Sequence, residues 1–187
     1  MDFYDVINKR KSVKKFKNTK ICEEKLGRII NTAMLAPSWK NKTSYKFIIV
    51  DDSYKKEKIS ECIKNSSDEA MQAIKDAPIL SIVVGEPEDS GNVDGKPLYL
   101  VDSAIALEHF VLAAASEGYG TCWIASFDED KIRQYLSIPF NFKVVALTPV
   151  GEIQEEKPHN PIKNVNEHVF LNTWNIPYSR KKEKVLS

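Results

Sequence analysis

Residues Asp102–Phe127 read DSAIALEHFVLAAASEGYGTCWIASF, and the reading of this stretch decides the fold. From Ala104 to Ala115 nearly every position is apolar, with Glu108 and His109 as the interruptions. A helix with so little polar face belongs in a core, so the other elements are expected to pack around it. His109 then reads as a hydrogen-bonded core residue rather than a catalytic base. Gly118 is placed to end the helix, because glycine enters the left-handed C′ conformation without a Cβ clash. Gly120 allows a second tight turn, and Thr121-Cys122-Trp123-Ile124 follows as a short strand of β-branched and aromatic residues. By spacing alone this is a core helix followed by a core strand. A glycine bend that exposes backbone to a flat ligand is the alternative.

Working outward, 187 residues with 42% hydrophobic and 28% charged residues fit one globular domain with a core of its own. The formal net charge of +1 gives no whole-molecule field toward a polyanion. Three cysteines, Cys22, Cys62 and Cys122, lie far apart without a CxxC pair, which favours reduced thiols and a cytoplasmic protein. The N-terminus MDFYDVINKRK lacks the apolar stretch of a signal peptide, and no apolar run is expected to span a membrane.

Upstream, residues 2–9 read as a short helix capped by Asp2. A basic run follows: Lys9, Arg10, Lys11, Lys14, Lys15, Lys17 and Lys20, with Ser12 among them. Arginine, lysine and serine together suit one phosphate; a solvated basic edge is the plainer reading. Residues 21–36 form an amphipathic helix through Leu26, Ile29, Ile30, Ala33 and Met34, ended by Pro37. The polar loop Pro37–Ser44 places Ser38, Asn41 and Thr43 as donors and acceptors. A single amide such as that of Asn41 serves both edges of a heterocycle, although turn chemistry alone also explains these residues. Strands are expected at 45–51, 79–84 and 142–150, and helices at 53–65, 68–77 and 128–136. The turn-rich segment 86–97 reads as a lid or a plain surface loop. Residues 152–164 read as an extended crossing segment, and Val165–Trp174 as an apolar tail in need of a partner.

These elements predict an α+β architecture, a mixed or antiparallel sheet layered by helices. No GxGxxG or GxxxxGK[ST] is present, and no GxSxG. The histidines lack metal-ligand spacing, so no metal site is expected. No aromatic platform accompanies the basic run, which argues against nucleic acid.

The pieces, in this order, resemble the FMN-dependent nitroreductase family over about residues 3 to 174. Four motifs carry the resemblance: Arg10-Lys11-Ser12 with Lys14; Ala36-Pro37-Ser38-Trp39-Lys40-Asn41; Gly118-Tyr119-Gly120-Thr121-Cys122-Trp123-Ile124; and Pro149-Val150-Gly151 with Lys163 downstream. The resemblance implies tightly bound, non-covalent FMN. Its phosphate would be held by Arg10, Lys11, Ser12, Lys14 and Lys163. Its ring and ribityl chain would meet Pro37, Ser38, Asn41 and Thr43. The backbone of Cys122, Trp123, Ile124 and Ala125 would cover one flavin face. Thr43-Ser44-Tyr45 stands where the family often has Gln-Pro-Trp, Ile162-Lys163 where an Arg-Lys pair is common, and Ala125 where glycine is common. The implied activity is transfer of hydride from NAD(P)H through flavin N5 to a nitroaromatic, quinone or similar acceptor in two alternating half-reactions, with no side chain as acid or base. A non-catalytic flavin binder, and a member acting on flavin or a halogenated aromatic, are the alternatives. The family pattern also implies a homodimer with FMN between subunits. A single domain would cover residues 1–174, its segment from about 152 would cross to the partner, and 175–187 would be a charged tail.

Overall fold

A computed structural model describes residues 2–65, 67–155, 158 and 163–178. Ile162, with residues 156, 157 and 159–161 of the expected crossing segment and 179–187 of the charged tail, lies outside the described residues. The chain divides into a unit ending at Lys157 and a second one beginning at Pro158.

In the first unit α1 is Phe3–Lys9 and α2 is Glu23–Met34, followed by β1 (Tyr45–Val50), α3 (Ser53–Ser60), α4 (Glu69–Asp76) and β2 (Ile79–Gly85). Then come α5 (Pro87–Ser90), β3 (Asn92–Val93), β4 (Lys96–Pro97), α6 (Leu98–Ser116), β5 (Tyr119–Thr121), α7 (Glu129–Leu136) and β6 (Lys143–Glu152). The main sheet has the order β1-β2-β6-β5, and each of its named pairs is antiparallel. The fold is therefore α+β, as expected.

The caps follow the sequence. Asp2, Asp52 and Asp128 accept from Asp5 N–H (2.9 Å), Lys55 N–H (2.7 Å) and Lys131 N–H (3.3 Å), which satisfies orphan donors at three helix starts. Two apolar layers flank the sheet. On one side Ile29, Ala33, Val83, Leu107, Phe110 and Ala146 join α2 and α6 to the strands. On the other, Ile59, Ile74, Leu80, Ile82, Ile132 and Leu147 join α3, α4 and α7. The continuous apolar runs of β2 and β6 arise because both of their faces are covered.

Several expectations shift. The central helix starts at Leu98, directly after Pro97, so it is longer than the stretch that announced it. It is buried by this chain on one side only: Phe110 and Leu107 are fully buried, whereas Leu100 and Val101 are 42% and 50% exposed. At 19 residues it is long and apolar enough to cross a membrane by length and composition alone, a test that a core helix also passes. Here it packs on α2 and the sheet. His109 is half-buried at a groove rather than in the core. The short strand is Tyr119–Thr121, earlier than expected, and Ile124 continues only as an isolated bridge to Leu147. Segment 86–97 holds a helical turn and a two-stranded hairpin rather than plain loop.

Lys56 is the one lysine among the described residues in the buried class. Its ammonium donates to Ala77 C=O at 2.5 Å, just past the end of α4. Burial pushes its pKa down, against the opposing pull of Asp51 and Asp76. The folded chain then binds this proton less tightly than the unfolded chain. Stability is expected to rise as pH climbs from the lowered value to the ordinary lysine value, and to level off on either side of that window, where both states hold the proton or both lack it. Urea midpoints at about pH 8 and about pH 10 check this. The gain should be present in the wild type and absent in Lys56→Met.

The second unit is described by itself. Its α8 (Val165–His168) is capped by Asn164, which accepts from Asn166 N–H at 3.1 Å. Phe170 packs on Trp174 with ring centroids 4.8 Å apart. Leu171 N–H to Ile176 C=O (2.8 Å) and Tyr178 N–H to Val169 C=O (2.9 Å) close the chain back on itself.

Candidate functional site

The basic N-terminal segment is joined to the glycine bend. Val13 N–H donates to Thr121 C=O at 2.8 Å, and Ser12 bridges Thr121 in parallel register. Phe16 bridges Ile153, and Lys17 N–H donates to Glu152 C=O at 2.9 Å, so residues 12–17 edge the sheet beside β5 and β6. Gly118 has φ +88°, the left-handed conformation that ends α6. Gly120 does something other than turn. It is strand, and a Cβ there would stand 2.7 Å from Val13 Cγ2 and 2.9 Å from Ile153 Cγ1. Its missing side chain is what lets the N-terminal segment lie down.

Around this junction Arg10 and Lys11 are half-buried, Ser12 is exposed, and Arg10 makes no ion pair among the described residues. Lys14 is engaged by Glu69, whose carboxylate raises the lysine pKa, so Lys14 is less available to a phosphate than its position in the basic run implies. Cys122 and Ile124 are buried, which leaves their backbone as the part able to meet a ligand, whereas Trp123 is 41% exposed and Ala125 is exposed. Lys163 is exposed and belongs to the second unit.

The second group lies in the turn before β1. Pro37, Asn41 and Thr43 are exposed, and Ser38 is half-buried. Thr43 N–H donates to Ser38 Oγ at 2.8 Å, which uses an acceptor of that hydroxyl and leaves its proton to donate outward. Lys40, Asn41 and Thr43 have φ of 51°, 55° and 53°, the left-handed region in three of four successive residues. The turn is fastened near the first turn of α6, where Trp39 N–H donates to Asp102 Oδ1 at 2.8 Å. Sequence reading passed over Asp102. The available signal was a lone acid inside an apolar helix, which burial requires to be hydrogen-bonded.

The two groups therefore sit at opposite ends of α6. The helix has 19 residues, about 28 Å of axis. Its far end is held by α2: Lys25 Nζ donates to Glu117 C=O at 2.9 Å, and Arg28 Nε and Nη2 meet the Glu117 carboxylate at 2.7 and 3.0 Å. Arg28 lowers the Glu117 pKa, so the carboxylate stays ionised at this helix end. Between α1, α2 and α6 runs a groove of about 480 Å³ whose lining includes Phe3, Val6, Ile29, His109 and Leu112.

An antiparallel four-stranded sheet with a long apolar helix across one face, and a basic strand-edge segment against a glycine bend, defines an α+β class of fold. Comparison with known proteins makes the assignment. Residues 7–152 match the Nitroreductase family, and the chain belongs to that family. It is similar to a nitroreductase family protein from Clostridium novyi NT, 48% identical, with a TM-score of 0.82 over 95% of this chain and 98% of that one. It is also similar to an FMN-dependent nitroreductase from Clostridium difficile R20291, 28% identical, with a TM-score of 0.80 over 92% and 100% of the two chains. An NADPH-dependent oxidoreductase of Staphylococcus aureus is 24% identical over 187 aligned residues, covering 88% of this chain and 72% of the relative.

Proposed function

We propose that this chain is an FMN-dependent NAD(P)H oxidoreductase acting on nitroaromatic, quinone or similar electron-poor acceptors, and that it works as a homodimer with FMN between subunits. The observation that supports the reading is the junction of Val13 and Ser12 with Thr121, which ties the end of the Arg10-Lys11-Ser12 run to the start of residues 121–125. Bound there, FMN supplies hydride acceptance and donation at N5 in alternating half-reactions.

The residues fit the group by their donor chemistry. The guanidinium of Arg10 and the ammonium of Lys11 suit a dianionic phosphate, and the Ser12 hydroxyl adds a donor. The amide of Asn41 and the hydroxyls of Ser38 and Thr43 suit the polar edge and side chain of the ring system. No side chain in either group is placed as a general acid or base.

The division of these groups between the two ends of α6 supports a shared site. One protomer would offer its Arg10–Lys14 end, and a second would offer its 37–43 turn. The apolar residues left exposed on α1 and α6, Phe3 (66%), Tyr4 (76%), Leu100 (42%) and Val101 (50%), and the groove that Phe3 lines, suit a second copy of this chain.

A visible spectrum of the purified protein, before and after anaerobic NADH, tests the function. A flavin band that bleaches is expected. A colourless protein that FMN does not reconstitute overturns the reading. Arg10→Ala should weaken FMN binding about ten- to hundredfold, the value of a charge-assisted phosphate contact, with the fold intact by circular dichroism. Unchanged affinity would remove Arg10 from the phosphate site.

A further inference from the structure

The turn carrying Ser38, Asn41 and Thr43 is built against its own backbone preference. Left-handed φ values are avoided by residues with a β-carbon, and most by β-branched ones such as Thr43. Such a turn persists only where its surroundings over-determine it.

What over-determines it is one buried carboxylate. Asp102 is 2% exposed. Its Oδ1 accepts from Trp39 N–H at 2.8 Å, and its Oδ2 accepts from the hydroxyls of Ser44 at 3.1 Å and Ser90 at 3.0 Å. Burying a carboxylate is costly unless donors meet it, and here three do. The donors come from two separate pieces of chain. Trp39 and Ser44 bracket the left-handed turn, and Ser90 is the last residue of α5, in the segment 86–97. Two further bonds run alongside: Glu86 N–H to Ser44 C=O at 2.8 Å, and Lys42 Nζ to Asp89 C=O at 2.7 Å.

We propose that Asp102 is a positioning residue that fastens the 38–44 turn and the 86–97 segment into a single wall, so that the segment moves with the turn and not as a separate lid. The carboxylate acts through Trp39, Ser44 and Ser90. That this wall faces a flavin rests on the function proposed above; the fastening itself does not.

Hydrogen exchange read by mass spectrometry on the full-length protein tests the fastening without recourse to activity. Ser90→Ala alters only the 86–97 side. It is nevertheless expected to speed exchange in both 86–92 and 39–44 by about tenfold, with β2 unchanged. Asp102→Ala should speed both by about a hundredfold. Asp102→Asn keeps one carbonyl acceptor for Trp39 N–H and should fall between the wild type and Asp102→Ala, a rescue that general destabilisation would not produce. The FMN dissociation constant should rise in the same order as exchange at 39–44. If Ser90→Ala loosens 86–92 alone, the two walls are independent and the proposal is overturned. Should Asp102→Ala fail to fold, Ser90→Ala and Asp102→Asn decide the matter by the same criteria. A wild-type protein that binds no FMN would overturn the function and leave the exchange result standing.

Discussion

Gly120→Ala is expected to destabilise the protein by about 1–3 kcal/mol, the usual cost of forcing a methyl into a packed site, and, under the proposed function, to weaken FMN retention about tenfold or more. The new Cβ would meet Val13 Cγ2 at 2.7 Å and Ile153 Cγ1 at 2.9 Å. Neither atom is the end of a flexible side chain. Both belong to β-branched residues of a small cluster with Phe16, Ala73 and Ala77, where χ1 has little freedom. The strain relaxes most cheaply by lifting residues 12–16 off β5, at the cost of the Val13–Thr121 bond. Arg10, Lys11 and Ser12 would then lose their fixed distance from residues 121–125. Urea unfolding and retained flavin after desalting measure the two effects. Gly27→Ala is the control, because a Cβ at that position meets nothing within 4 Å. An unchanged midpoint with unchanged flavin content would show that the N-terminal segment does not depend on the gap.

Phe110→Ala is expected to cost about 3–5 kcal/mol. Phe110 is fully buried and stacks on Phe47 with centroids 5.6 Å apart and planes inclined by 16°. Its ring fills the space between the middle of α6 and β1, and rigid strands with β-branched neighbours leave little scope for collapse into the cavity. For a chain of this length the loss corresponds to a melting temperature lower by ~10 °C. Melting at several protein concentrations separates this core effect from any change in association. A shift of under about 2 °C would mean that the site repacks around the missing ring.

The sequence made some of these elements plain and hid others for identifiable reasons. The pattern of Leu26, Ile29, Ile30, Ala33 and Met34 located α2, and the unbroken apolar runs located β2 and β6, because period and burial are local signals. Pro97 marked the true start of α6, but the apolar stretch drew attention downstream. Gly120 looked like a turn residue because glycine is ambiguous: freedom at φ and a missing Cβ leave the same letter in the sequence. Here the contact decides, and it is made by Val13 and Ile153. Lys14 reads as one more cation of the basic run because its partner Glu69 stands 55 positions away. The partners of Asp102 are 63, 58 and 12 positions distant, and no periodicity connects them. Nothing about the letters Lys40 or Thr43 announces a left-handed backbone, since neither residue prefers it.

Those left-handed residues have an evolutionary corollary. A non-glycine residue held at such a φ costs the fold about 1–2 kcal/mol, and swapping Lys40 or Thr43 for glycine would relieve that strain, offset by roughly 0.4–1 kcal/mol of added freedom in the unfolded chain. Selection for thermal tolerance alone would drift in that direction. It would trade a stiff bracket around Asn41 for a slack one, and a hardier variant would emerge with a poorer grip on whatever lies against the bracket.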